Sequence, residues 1–142
     1  MKNPKYFSLE ELLTSSTARQ KSIENLPSWD IVEHLNELAL FLDGLREAWG
    51  SSIRVTSGFR NPSLNKAVKG VENSVHQIGY AADIVPGNGK MSEFIKFVER
   101  WLKDKAFDQC IIETSKKSRW IHLSLYNNKH QQRKMIFLMD VK

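Results

Sequence analysis

Apolar residues recur along this chain first with a helical rhythm and then, past residue 50, increasingly with the alternation of strands. Ser8 and Glu11 have the spacing of a capping box, and Leu9, Leu12 and Leu13 predict a short helix with one apolar face. The polar stretch from Ser15 to Ser28, which contains Pro27, reads as a connector with one more helical turn. Ser28 is then placed to cap a long helix, because Ile31, Leu35, Leu38, Leu42, Leu45 and Trp49 alternate steps of four and three. That stripe is a core face, and His34 at its border reads as a flank residue rather than a ligand. Gly50 ends the helix.

Ile53-Arg54-Val55-Thr56 alternates as a short strand, and Ser57-Gly58-Phe59-Arg60 turns the chain. Pro62 suits the first turn of a helix through Val68, stopped by Gly70. Val71 to Gly79 reads as a loop, and Ala81 to Val85 as a buried strand ended by Pro86-Gly87-Asn88-Gly89. Ser92 is read as the cap of a second amphipathic helix bearing Phe94, Ile95, Val98, Trp101 and Leu102. Phe107 to Thr114 and Arg119 to Leu125 flank a short turn as a hairpin, and Lys134 to Val141 adds a last strand. Helices first, then strands mixed with helices, predict an α+β fold with an antiparallel sheet and flanking helices.

With 142 residues, 41% hydrophobic and 26% charged, the chain has the profile of one soluble globular domain, residues 1–142, with a helical part to about residue 50. The start, Met1 to Ser8, reaches Glu10 and Glu11 before a signal-peptide apolar run develops, and no stretch approaches the roughly 20 apolar residues of a membrane span. Synthesis in the cytoplasm without a signal peptide is therefore expected. Cys110, the single cysteine, excludes an internal disulfide, and Ile111 and Ile112 beside it favour a buried thiol. The net charge of +5 fits an anionic partner without choosing among nucleic acid, membrane surface and acidic wall polymer. Lys116, Lys117 and Arg119, and likewise Lys129, His130 and Arg133, have no interleaved aromatic platform and read as solvated surface.

Two histidines carry chemical interest. His76 opens the run Ser74-Val75-His76-Gln77-Ile78-Gly79-Tyr80-Ala81-Ala82-Asp83, where a polar loop enters a strand of small residues that reaches a carboxylate. An Asp between Ala82 and Ile84 on a buried strand needs a partner: a metal, an arginine or a turn of backbone amides would serve. His122 lies mid-strand in Trp120-Ile121-His122-Leu123-Ser124, and by itself it is read more readily as a core histidine bonded to a carbonyl than as a ligand.

Taken together, Ser74-x-His76-x-x-Gly79-x-Ala81-x-Asp83 and the later Trp120-x-His122 resemble the zinc D-Ala-D-Ala carboxypeptidase and L-alanyl-D-glutamate endopeptidase family, whose fold is shared with the hedgehog signalling domain. Ser57-Gly58-Phe59-Arg60-Asn61-Pro62 and Asn65-Lys66-Ala67-Val68 are similar to that family's Ser-Gly-aromatic-Arg stretch and following helix. The resemblance implies Zn²⁺ held by His76, Asp83 and His122, and Arg60 facing the substrate. It assigns Ser74 and Trp120 to the ligands' surroundings or the substrate groove, and Gly79 to a turn that a side chain would obstruct. The implied partner is the peptidoglycan stem peptide, cut by a monomer that acts on the cell wall after release or export, with no nucleic-acid or membrane partner. A zinc-containing wall-peptide binder that does not cut, and a basic nucleic-acid-binding domain, are the rival readings.

One family feature is absent. Many members carry an acidic general base three positions before the second histidine, and that position here is Arg119, which cannot accept a proton. Hairpin geometry supplies a substitute. With the turn centred on Lys116 and Lys117, Glu113 lies opposite Trp120 and Ile111 opposite His122, so Glu113 shares the His122 face, and Asp108 points the other way.

Overall fold

The computed structural model describes residues 3–141, so the first two residues of the run weighed as a leader lie outside the described residues. Two short helices, α1 (Leu9–Leu13) and α2 (Ser16–Gln20), precede the long α3 (Trp29–Trp49). The hydroxyls of Ser8, Ser15 and Ser28 each accept an N–H from the first turn of the helix that follows, which fixes all three starts locally. Then come β1 (Ile53–Ser57), α4 (Pro62–Ala67), one 3-10 turn (Val75–Ile78) and β2 (Ala81–Pro86). The chain ends with α5 (Met91–Trp101), the hairpin β3 (Gln109–Thr114) and β4 (Arg119–Ser124), and β5 (Met135–Asp140).

The five strands form one sheet in the order β1-β2-β4-β3-β5. Its helical face packs on Leu35, Leu38, Leu42 and Leu45 of α3 and on Phe94 and Val98 of α5, in a core that also takes Ile84, Ile112, Ile121 and Leu123 from the strands. Burial of these side chains is the main favourable term holding the helices to the sheet. The opposite face carries the chemistry described below. Among the described residues, no helix is long and apolar enough to cross a membrane.

Three readings of the sequence need correction. The sheet is mixed rather than antiparallel, because β5 runs parallel to β3. Residues 125–134 cross the start of β3, so β5 begins beside Gln109 and runs in the same direction. Secondly, α5 starts at Lys90 without a side-chain cap, and Ser92 lies within its first turn, where the hydroxyl accepts from Arg119 of β4. Thirdly, the segment Val71 to Gly79 is not all loop, since Val75–Ile78 winds into the 3-10 turn.

The crossing segment is tied down by one buried ion pair. Asp108 is 0% exposed and receives Arg133 through Nε at 2.7 Å and Nη2 at 2.9 Å, while the Arg133 backbone N–H donates to the same carboxylate. Removing the carboxylate takes away three hydrogen bonds from Arg133 and frees the segment. Asp108→Ala is expected to cost about 1.5–3 kcal/mol, the loss of hydrogen bonds to a charged group, because the part-exposed Arg133 stays solvated. A urea-unfolding midpoint equal to that of the unaltered protein would contradict this.

Candidate metal centre

Ser74 starts the 3-10 turn by accepting the backbone N–H of His76, and Gly79 ends it at φ +84°. A Cβ on Gly79 would also lie 3.0 Å from Ile31 Cγ2, so the turn requires both the left-handed backbone and the missing side chain. This placement aims His76 across the mouth of β2, where Asp83 sits opposite His122 in the β2–β4 ladder. His34, by contrast, stacks on Tyr80 and donates through Nδ1 to the Ile78 carbonyl at 2.7 Å, a flank role. Cys110 is buried, and burial pushes its thiol up to about 12, too high for a nucleophile.

His76 Nε2, Asp83 Oδ1 and His122 Nδ1 form a triangle with all three sides 3.2 Å. His76 donates Nδ1–H to the Gly58 carbonyl at 2.7 Å, and burial holds its pKa below the usual imidazole value against the pull of Asp83. The neutral ring therefore turns a bare Nε2 lone pair toward the carboxylate. Burial opposes charge on Asp83; protons on His76 and His122 outweigh it and hold that carboxyl below the usual carboxylate range, and with His76 neutral a bound cation would have to take their place. Two acceptors thus face each other across the Nε2–Oδ1 side, an arrangement that calls for a cation between them. A tetrahedral ion with bonds of about 2.0–2.1 Å, such as zinc, spaces its ligands by about 3.3 Å, which the observed triangle matches. The residues present fit a metal: His76, Asp83 and His122 could hold one ion.

Arg60 supports this set from the side. Its guanidinium donates to Ser57, to the buried Asn65 at 3.2 Å and to Asp83 Oδ2 at 3.4 Å, so it orients the carboxylate oxygen that is not in the triangle. The sequence reading turned Arg60 toward substrate; the structure brings it to the cleft and gives three of its five donors to the protein. Sequence reasoning missed the two elements that hold these groups, the Gly58 carbonyl and Asn65. A motif match had marked the neighbourhood of both without assigning them a role.

The triangle lies in a cleft of about 770 Å³ that Glu113, Trp120 and Ser74 also line. The hairpin pairs Glu113 with Trp120 and Ile111 with His122, so Glu113 stands diagonal to His122 on the same face. Burial raises the Glu113 pKa, and Asp83 adds to the rise. Among the described residues the buried Trp120 indole N–H has no hydrogen-bond partner, yet its nearness to Glu113 works against that rise by favouring the ionised carboxylate. Arg119, one residue before Trp120, turns the other way to Ser92 and is absent from the cleft lining. Asp108 likewise serves the fold alone.

The sequence pattern of the Peptidase M15 family matches residues 5–124. The chain belongs to this family. Its mixed helix-and-sheet architecture is the M15 peptidase fold, and the family consists of zinc D-Ala-D-Ala carboxypeptidase-like peptidoglycan peptidases. All three candidate ligands, Arg60 and Glu113 of this M15 chain fall inside the matched stretch, whereas β5 lies beyond it. No curated protein matches the chain significantly.

Proposed function

We propose that the protein is a single-domain zinc peptidase that hydrolyses a peptide bond of the peptidoglycan stem. The bare Nε2 of His76 facing the Asp83 carboxylate beside His122 carries this reading, because that donor set is complete except for a cation. Zinc, when bound, would supply a Lewis acid for the scissile carbonyl and lower the pKa of water. Glu113 accepts the proton of the attacking water and returns it to the leaving amine. Its partly buried position and raised pKa suit both halves of that task. Arg60 keeps Asp83 in place, and its remaining N–H groups line the cleft where a substrate carboxylate would lie. The cationic rim, Lys69, Lys129 and Arg133, favours the acidic stem.

Metal analysis of the purified protein and of His122→Ala, with a stem-peptide release assay, tests this. One zinc per chain, lost in the variant, together with chelator-sensitive release is the expected result. Zinc without release would instead favour a wall-peptide binder that does not cut, the reading motivated by Arg119 at the usual base position. Absence of zinc would overturn the proposal.

A further inference from the structure

The hairpin that carries Glu113 and Trp120 into the cleft continues one residue further to Thr114 and Arg119, and these line a different depression. It measures about 600 Å³ and shares no lining residue with the metal cleft. Arg54 of β1, Lys116 and Lys117 of the turn and Arg119 of β4 surround it, and no acidic residue and no aromatic residue takes part. None of these four cations forms an ion pair among the described residues. The protein's net charge of +5 does not offset this cluster. From the sequence alone, Lys116, Lys117 and Arg119 read as solvated surface. The fold changes that reading by bringing in Arg54 from some sixty residues upstream and by giving the cluster a concave floor of Val85 and Pro86.

Four cations without an ion pair among the described residues give the depression a positive field. Ser115 and Ser118 add small polar groups at the turn. Guanidinium forks and ammonium groups at such spacing suit phosphoryl oxygens, which accept from several donors at once. A nucleic acid would offer phosphates too, but single strands are held in large part by stacking on aromatic rings, and this depression has none.

We propose that this basic depression is a docking site for a phosphodiester-linked polyanion of the cell wall, which holds the protein on its substrate layer while the separate cleft cuts. The inference rests on the wall-peptidase reading for the choice of polymer, and on the charge and shape of the depression for the site itself. The depression sits at the turn of the hairpin and shares no lining residue with the cleft, so a polymer docked there leaves the cleft open.

Binding of soluble poly(glycerol phosphate) to the metal-loaded protein, measured by titration at several salt concentrations, tests the site independently of turnover. Four phosphate contacts on a flexible polyanion give an expected slope of log K against log salt of about −3. Lys116→Ala/Lys117→Ala is expected to halve that slope and to weaken binding at low salt about tenfold or more, and Arg54→Ala to lower it further. Release from a soluble stem peptide stays unchanged in these variants. A charge-matched control, Lys21→Ala/Lys103→Ala, should leave polymer binding intact. The proposal is overturned if the polymer does not bind, if the control weakens binding as much as the turn variant, or if an oligonucleotide of equal charge binds more tightly. Polymer binding lost with the turn variant supports the site even for a protein that releases no peptide, so failure of the docking site and failure of the peptidase reading remain distinguishable.

Discussion

Glu113→Gln is expected to lower stem-peptide turnover by about a hundred- to ten-thousand-fold while zinc content stays at one per chain. The amide keeps the shape of the carboxylate but accepts no proton from water. Glu113 is not a member of the triangle formed by His76, Asp83 and His122, so its substitution leaves the ligand set whole. Its place on the His122 face is fixed by six consecutive pairs between β3 and β4, and a slip of one residue would carry Ile112 and Ile121 out of the core. The register is therefore as secure as the core itself. Arg119→Ala serves as the companion variant. Its side chain leaves the cleft for Ser92, so soluble-peptide turnover should stay near that of the unaltered protein. Near-normal turnover in Glu113→Gln, or collapse in Arg119→Ala, would remove Glu113 from the role of base.

Gly58→Ala should damage both stability and metal affinity, although Gly58 bears no side chain and touches no ligand atom with one. An added Cβ would sit 2.3 Å from the Leu12 carbonyl oxygen, a backbone atom that already accepts the Phe59 N–H at 2.8 Å. Neither chain can yield without moving α1 or the strand end. Such overpacking costs about 1–3 kcal/mol. The displaced Gly58 carbonyl is also the acceptor that fixes the His76 ring and its tautomer. Loss of an outer partner of this kind typically lowers metal affinity by about 10–100-fold. Competition with a metal-chelating dye, read beside a urea-unfolding curve, measures the two effects separately. Unchanged affinity in a destabilised variant would show that the tether to Gly58 does not tune His76.

These two residues mark how far the sequence could be read. The hairpin was legible because alternation and a polar lysine turn leave few registers that bury Ile112, Ile121 and Leu123 together. The long helix was legible for the same reason, its stripe having one direction in which to face. Parallel pairing of β5 was not, since the pattern of Met135 to Asp140 says that the segment is extended and says nothing about its neighbour. Ser92 misled because a local capping signal lost to a tertiary partner, Arg119. In the site, the donor residues were picked out by the resemblance of their motifs to the family, since each alone reads as readily as core, whereas their supports were not. The Gly58 carbonyl, Asn65 beneath Arg60, and Asn25, which accepts the Asn61 N–H and donates to Leu13 and Phe59, act through contacts that exist only after folding.

The path of residues 125–134 has a consequence for how this protein could diverge. Every group assigned to bond breaking is in place by Ser124, but one wall of the cleft is formed by Phe137 and Met139 of the strand that follows the crossing and by Val141 just beyond it. Cutting and choosing are thus entrusted to consecutive stretches of chain joined at the Asp108–Arg133 clasp. An exchange of the tail beyond that clasp would refit the cleft for another peptide without disturbing a single donor atom.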